Sequence, residues 1–285
     1  MPYFSVLLPA SNAESTIFKC LRSIESQSFS DFNVLILVNN SVDNTFTICS
    51  DFCETKSKFS CLNLGHRYSN LSQILNFGFA SLRSNCTYIV RHDSDDYMLD
   101  HRLQHTYTSI NARCDLPLIH AGNAYIDNTK TLMLPSESLS DIYLKAQLLL
   151  YSPFVHPSIA LHSSLPILYD ERFQYAQDLK LFVDNIFHGH YSYTPIPYIS
   201  YTSATSSLRK RSMQLACHDI AIHSLHARIF SSLTLRNSHE LRCQFVSNEY
   251  QIYPIVRPES VSQNLQELKT RFVDAYRSLF LKSFS

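Results

Sequence analysis

Short apolar runs alternate with amphipathic segments over the first ninety residues, and this alternation restricts the fold more than any other feature of the sequence. Buried strands are predicted at residues 4–8, 33–38, 61–64 and 88–90. Helices are predicted between them, at residues 17–24, 46–52 and 71–82. A strand–helix–strand succession forms a parallel sheet with helices on both faces. We therefore expect an α/β fold with a mainly parallel central sheet between helical layers.

The alternation weakens beyond residue 100. Further strands are expected at 116–121 and 158–162, and a helix is expected at 140–150. From Leu208 onward the pattern is mainly helical and ends in an amphipathic stretch at 266–282. The sequence therefore predicts an α/β domain over residues 1–205 and a helical C-terminal region over residues 206–285.

Charge and composition exclude several classes of protein. Lysine plus arginine and aspartate plus glutamate both number 24, so we expect no general attraction to nucleic acid. The chain has no run of eighteen apolar residues, and its first residues lack the basic and apolar stretches of a signal peptide. We expect a cytoplasmic protein whose eight cysteines are reduced thiols without zinc-finger spacing.

Three carboxylates follow the predicted strand at 88–90, within the segment Arg91-His92-Asp93-Ser94-Asp95-Asp96. Clustered carboxylates repel one another, and a divalent cation such as Mg²⁺ or Mn²⁺ stabilises their ionised form. A solvated acidic turn is the alternative explanation of the same residues. Ligands of parallel α/β sheets bind at the carboxyl ends of strands, and this position favours the metal site.

Six segments resemble, in order, those of family 2 glycosyltransferases of the GT-A fold, which is Rossmann-like. They lie at residues 4–14, 20–29, 38–45, 88–96, 156–161 and 169–182. The first four are similar to the family's SVIIPTYNAE, CLESILNQTY, VDDGSTDNT and YIARMDADD. The last two are similar to HPSVMFR and YDERFRYAEDYDLW in members that build bacterial cell-surface polysaccharide. The resemblance implies a GT-A catalytic domain over residues 1–205.

The resemblance also implies a reaction, the inverting transfer of a sugar from a nucleotide diphosphate to an acceptor hydroxyl. Asp93 and Asp95, in a DxD motif with Ser94, would bind Mn²⁺ or Mg²⁺, which neutralises the diphosphate leaving group. Asp178 would be the general base that takes the proton of the acceptor hydroxyl. A carboxylate at a helix start, where it favours the helix dipole, is the structural alternative for Asp178.

The resemblance places further residues around the substrates. The expected nucleotide-sugar contacts are Pro9, Ala10, Ser11, Glu14, Asn39, Asn40, Asp93 and Ser94. His156 and Gln177 are expected on the acceptor side, although Gln177 replaces the family's usual glutamate. Residues 201–204 replace the family's YRIH, and Arg209 and Arg211 are candidates to supply the missing positive charge. A solvated basic turn explains these arginines equally well.

The expected partners are a nucleotide-diphosphate sugar and a glycan or lipid-linked acceptor in surface polysaccharide or lipopolysaccharide synthesis. The amphipathic stretch at 268–282 is compatible with peripheral contact with the inner face of the membrane. Packing on the domain, or on a second copy in a homo-oligomer, is the alternative.

Two other functions are alternatives to a glycosyltransferase. A nucleotidyltransferase would carry a glycine-rich phosphate loop with a basic residue, and the segment after Leu8 has neither. A catalytically degenerate sugar-nucleotide-binding or scaffold protein would explain the departures at Asn39, Gln177 and Tyr201. The presence of all three of Asp93, Asp95 and Asp178 favours an active enzyme.

Overall fold

The computed structural model describes residues 1–126, 131–134, 139–148, 151–202 and 208–229. The strands are β1 (Phe4–Ala10), β2 (Phe32–Asn39), β3 (Phe59–Gly65), β4 (Tyr88–Arg91), β5 (Tyr97–Met98), β6 (Ile119–Ile126), β7 (Ile159–His162) and β8 (Tyr191–Tyr201). The helices are α1 (Ile17–Glu25), α2 (Thr45–Thr55), α3 (Leu71–Leu82), α4 (Arg102–Asn111), α5 (Asp141–Gln147), α6 (Gln177–Asn185) and α7 (Leu208–Ile229). A 3₁₀ helix, His156–Ser158, leads into β7.

The strands form one sheet in the order β3-β2-β1-β4-β7-β6-β8-β5. β3, β2, β1 and β4 pair in parallel, with Val6 opposite both Val34 and Val90. β7 runs antiparallel to both β4 and β6, β8 runs parallel to β6, and β5 runs antiparallel to β8. The predicted α/β class is confirmed, with mostly parallel strands and helices packed on the sheet.

The parallel strands are buried on both faces, which explains why they read as continuous apolar runs. Val6 and Leu8 of β1 face the core that α1 and α2 cover, whereas Leu7 faces the core under α3. Gly78 allows α3 to lie close to the sheet, because a Cβ atom there would come within 2.3 Å of Leu7 Cδ1. Alternate side chains of one strand therefore pack against helices on opposite faces of the sheet.

The second half of the sheet departs further from the sequence-based expectations. β7 lies within the expected strand at 158–162, but β6 begins at Ile119 and continues past residue 121 to Ile126. β8 was not predicted, because Pro195 and Pro197 argue against a strand. The register of β6 against β8 shifts on both sides of Asn123, which lies opposite Pro197, so an irregular pairing accommodates the proline.

The C-terminal helix α7 begins at Leu208, where the helical pattern was predicted to start. Ala221, Ile222 and Leu225 of α7 are buried in the same core cluster as the apolar face of α6. The beginning of the predicted C-terminal region therefore packs on the α/β domain, and the division at residues 205 and 206 stays a prediction. The amphipathic stretch at 266–282 lies outside the described residues.

Within the described residues, no helix is both long enough and apolar enough to span a bilayer. The cysteines there are free thiols, of which Cys20, Cys49 and Cys86 are buried.

Candidate functional site

Three polar loops meet at the carboxyl edge of the parallel strands, after β1, β2 and β4. The 3₁₀ helix joins them because β7 is antiparallel to β4, so that the start of β7 lies beside the end of β4. Asn12, Asn40 and Ala176 have positive φ angles of 48°, 56° and 53°, in the first loop, in the second loop and directly before α6. Backbone strain of this kind concentrates at functional sites, so this edge is the candidate site.

Hydrogen bonds that involve side chains connect the first two loops to each other. Asn12 N donates to Ser41 Oγ at 3.0 Å, and Val42 N donates to Asn12 Oδ1 at 3.0 Å. The carboxylate of Glu14 accepts from Asn44 N at 3.2 Å and from Asn44 Nδ2 at 2.8 Å. Glu14, expected as a nucleotide contact, thus has its carboxylate engaged with the second loop. The two loops form one preorganised wall of the site.

Asn39 and Asn40 close the second loop against the segment between β3 and α3. Asn39 is 2% exposed; its Nδ2 donates to Tyr68 O at 2.9 Å and its Oδ1 accepts from Tyr68 N at 3.3 Å. Asn40 Nδ2 donates to the same carbonyl at 2.9 Å, and its Oδ1 lies 2.6 Å from His66 Nδ1. These two hydrogen bonds fix the orientation of the Asn39 side chain and leave one N–H and one lone pair of its amide for any further contact.

The remaining expected nucleotide contacts of the first loop lie at the end of β1. Pro9 and Ala10 are its last two residues and are buried, whereas Ser11 is the first exposed residue after the strand. Ser11 therefore presents its hydroxyl to a ligand at this edge more readily than its two neighbours present their side chains.

The acidic segment after β4 forms a compact group of carboxylates. One carboxylate oxygen each of Asp93, Asp95 and Asp96 lies within 4.8 Å of the other two. Asp95 is exposed, whereas Asp96 is 3% exposed and its Oδ1 accepts from Thr202 N at 2.9 Å. The other oxygen of Asp96 is buried without a hydrogen-bond partner. This donor set of hard oxygen ligands suits Mg²⁺ or Mn²⁺.

The charges of these carboxylates are incompletely balanced. Burial, reinforced by the charge of Asp93, raises the pKa of Asp96 to about 8 and also raises the pKa of Asp95. A proton or a cation must therefore neutralise part of the group near neutral pH. Asp96 was not predicted as a ligand, although its place in the acidic segment was the available signal.

Two buried arginines that the sequence did not identify lie beneath the carboxylates. Arg91 is 3% exposed and pairs with Asp93, and its Nε and Nη1 are buried without partners. Arg102 of α4 is 1% exposed; it donates from Nη2 to Arg91 O at 2.8 Å and from Nη1 to His92 Nδ1 at 3.1 Å. Together they fix the end of β4 and hold the acidic segment in place.

The candidate base lies at the start of α6, of which Gln177 and Asp178 are the first two residues. Both are half-buried, and the left-handed Ala176 turns the chain into the helix. Tyr169 lies within electrostatic range of Arg91, Asp178 and Asp93. Asp93 of the acidic segment and the predicted base thus both lie within electrostatic range of one tyrosine.

The two predicted basic residues, Arg209 and Arg211, lie in the first turn of α7. The structure describes the backbone of these residues but not their side chains.

Protonation of Asp96 gives a testable pH dependence for the metal-free protein. The pKa of Asp96 is raised on folding, so between about pH 4, the unfolded value, and pH 8 the folded state keeps a proton that the unfolded state has lost. The free energy of unfolding should fall in this window by up to about 1.4 kcal/mol per pH unit. Urea unfolding from pH 5 to pH 8 measures the slope. Asp96→Asn should reduce it, and equal slopes in both proteins would contradict the pKa assignment.

Comparison with known proteins agrees with this architecture. Residues 5–162, which are 158 of the 285 residues, match the family described as Glycosyl transferase family 2. The chain is 27% identical over 140 residues to Glycosyltransferase GlyA of Streptococcus pneumoniae serotype 4, a match that covers 49% of this chain and 19% of GlyA. The matched region thus spans about a fifth of the curated relative.

Two solved structures share the fold. S. aureus TarS 1-349 in complex with UDP-GlcNAc has a TM-score of 0.65 at 17% identity, covering 85% of this chain and 71% of that one. The mannosyltransferase PcManGT of Pyrobaculum calidifontis, in complex with GDP-Man and Mn²⁺, has a TM-score of 0.55 at 12% identity, covering 98% and 87%. At these identities the likeness shows the GT-A fold.

Proposed function

The chain belongs to glycosyl transferase family 2, and on that basis we propose that it transfers a sugar from a nucleoside-diphosphate sugar to an acceptor hydroxyl with inversion at the anomeric carbon. The observation that carries the proposal is the group of three carboxylates after β4, whose oxygens lie within 4.8 Å of one another. Asp178 at the start of α6 lies within electrostatic range of Tyr169, as does Asp93. A metal-binding group beside a candidate base is the arrangement that this reaction requires.

The donor would bind at the carboxyl edge of the parallel strands. The first two loops, which hydrogen bonds connect to each other, would bind the nucleoside. Ser11 would contribute an exposed hydroxyl to this site. Asp93 and Asp95, with Asp96 behind them, would hold Mn²⁺ or Mg²⁺, and that ion would neutralise the diphosphate leaving group. The complexes of TarS with UDP-GlcNAc and of PcManGT with GDP-Man make UDP and GDP sugars the first donors to test.

The acceptor would bind on the side of His156 and Gln177. Asp178 would accept the proton of the attacking hydroxyl, while the nucleotide departs from the opposite face of the sugar. A single displacement of this kind inverts the anomeric configuration. Because the leaving group is a diphosphate, it needs little protonation, and one base suffices.

The biological acceptor is proposed from the resemblance of residues 156–161 and 169–182 to bacterial cell-surface polysaccharide enzymes. We propose a glycan or lipid-linked acceptor on the cytoplasmic side of the membrane. In this proposal residues 1–205 form the catalytic domain, and residues 206–285 form a helical region that contributes Arg209 and Arg211 to the diphosphate site. Contact with a membrane or a second copy would come from the 268–282 stretch.

Calorimetry and thermal-shift measurements with UDP, GDP, dTDP and CMP, each with and without Mn²⁺ or Mg²⁺, test the proposal. We expect one diphosphate to bind at least about tenfold more tightly with metal, because the ion screens repulsion between the carboxylates and the diphosphate. CMP, which carries a single phosphate, completes the set of candidate nucleotides. Failure of all nucleotides to bind under every metal condition would overturn the proposal.

A catalytically degenerate sugar-nucleotide-binding protein is the second candidate. Asn39 stands in a segment where the family often has aspartate, and its amide makes two hydrogen bonds to the Tyr68 backbone. Such a protein would bind a nucleotide sugar in the same screen but would release no nucleoside diphosphate with any acceptor glycan. Measurement of diphosphate release therefore separates the two candidates.

A further inference from the structure

His156 and Tyr169 form a hydrogen bond beside the acidic segment, with 3.0 Å between His156 Nε2 and the Tyr169 hydroxyl oxygen. Their rings meet edge to face with centroids 5.7 Å apart. Tyr169 is 5% exposed and His156 is half-buried. Because the 3₁₀ helix that begins at His156 lies beside the end of β4, this pair borders the region where the substrates of the proposed reaction would meet.

The direction of this hydrogen bond follows from the protons available. Burial, with a smaller contribution from Arg91, lowers the pKa of His156 well below its usual value, so its imidazole is neutral and carries one proton. Burial raises the pKa of Tyr169, which therefore keeps its hydroxyl proton. If His156 Nε2 donated, that hydroxyl proton would have no acceptor among the described residues. Donation by Tyr169 pairs the hydroxyl proton with the lone pair of Nε2 and leaves the imidazole proton on Nδ1.

The Nδ1 atom of His156 has no hydrogen-bond partner within the part of the chain that the structure describes. His92 Nε2 and His223 Nδ1 are fully buried and have no hydrogen-bond partner. His156 Nδ1 is not one of these fully buried atoms. A buried donor without a partner would destabilise the fold, whereas an accessible one can bind a ligand. His156 thus presents an N–H group whose acceptor must come from outside the described residues.

We propose that Tyr169 is a positioning residue that holds His156 in the Nδ1–H tautomer, so that Nδ1–H donates a hydrogen bond to an oxygen of the acceptor sugar. The assignment of the ligand rests on the proposed function, since a sugar hydroxyl is the acceptor group that the reaction brings to this side. The tautomer itself rests on the hydrogen bond between the two side chains and on their neutral states, and does not depend on the proposed function.

The backbone of Tyr169 is held from the opposite side by α3. Asn76 Nδ2 donates to Tyr169 O at 2.9 Å, and Tyr169 N donates to Asn76 Oδ1 at 2.9 Å. Asn70 Nδ2 donates to Glu171 O at 2.9 Å. Because these contacts use main-chain atoms of the 169–171 segment, Tyr169→Phe removes the hydroxyl without releasing the segment. The variant therefore separates the hydrogen bond from the fold.

The first test is the tautomer of His156 in ligand-free protein labelled with ¹⁵N-histidine. A two-bond proton–nitrogen correlation spectrum distinguishes Nδ1–H from Nε2–H, and loss of one signal set in His156→Gln identifies His156. We expect Nδ1–H in the unmodified protein and a shift toward Nε2–H in Tyr169→Phe. Observation of Nε2–H in the unmodified protein, or an unchanged tautomer in Tyr169→Phe, would overturn the proposal.

Two controls accompany the spectrum. His92 must be the Nε2–H tautomer, because its Nδ1 faces Arg102 Nη1, which can only donate. Tyr88→Phe removes another buried tyrosine hydroxyl, which donates to Pro117 O at 2.7 Å. That variant should lower stability in the same way without changing the tautomer of His156.

The second test is the kinetic effect on the acceptor. Tyr169→Phe should lower kcat/KM for the acceptor about tenfold, the effect of one misdirected hydrogen bond, with the KM for the donor unchanged. His156→Asn, whose amide nitrogen can take the place of Nδ1, should retain more activity than His156→Gln. A change in donor KM alone, or equal loss in both variants, would overturn the acceptor assignment. The expected tautomer without any sugar transfer would instead contradict the proposed function.

Discussion

Asp178→Asn is expected to lower kcat by about 10³-fold while leaving the Kd for the nucleoside diphosphate and metal unchanged. Asparagine has nearly the same size as aspartate but cannot accept the proton of the attacking hydroxyl near neutral pH. Asp178 begins α6 and is half-buried, so the substitution leaves no large cavity. Steady-state release of the diphosphate and calorimetry on the same samples measure the two quantities.

Asp184→Asn on the same helix is the matched control. Asp184 pairs with Lys180 at 2.5 Å and has no role in the proposed reaction. This variant should reduce stability slightly and leave kcat within about twofold, because a partly exposed ion pair contributes little. Unchanged transfer by Asp178→Asn would exclude Asp178 as the base, and a loss of binding would mean that it contributes to the donor site.

Asp95→Asn is expected to weaken metal-dependent binding of the nucleoside diphosphate by about 100-fold. Substitutions in the surroundings of a metal typically reduce its affinity by about 10- to 100-fold, and loss of a charged ligand should reach at least the upper end. Asp95 is the exposed member of the acidic group, so its removal should not disturb the core. Titration of the diphosphate at fixed Mn²⁺, and of Mn²⁺ by calorimetry, measures the effect.

Asp100→Asn provides the control for a lost surface carboxylate near the same segment. Asp100 is exposed, and its Oδ1 accepts from Ser26 Oγ at 3.3 Å. Metal affinity should be nearly unchanged, because Asp100 does not belong to the group of carboxylates that could share an ion and salt screens exposed charges. Equal metal affinity in Asp95→Asn and the unmodified protein would show that the ion does not bind at this group.

The sequence determined the parallel half of the fold because local pattern and tertiary environment agree there. β1, β2 and β4 are buried on both faces, so their residues appear as continuous apolar runs. α4 and β8 were not predicted, because the residues of each element are unusual for its position in the fold. The inward face of α4 includes buried Arg102 and Thr106, and β8 contains two prolines. Pairing and packing overrode local preference in both elements.

The acidic segment was identifiable because three carboxylates that follow an apolar run can be recognised in the amino-acid sequence. The roles of Asp93, Asp95 and Asp178 stay predictions for the variants above to test. The contributions of Arg91 and Arg102 were not identifiable, since a buried arginine looks like any surface arginine in a sequence. Their burial depends on α4, which closes over the end of β4.

By itself the sequence determined the α/β class, the parallel strands and the segment that carries the acidic group, because hydrophobic periodicity and charge are local properties. Only the tertiary structure decided that His156 meets Tyr169, that Asn39 is occupied by the Tyr68 backbone, and that Asp96 is buried with a raised pKa. Each of these depends on contacts between different segments of the chain, such as that of Asp96 with Thr202, which local sequence patterns do not encode.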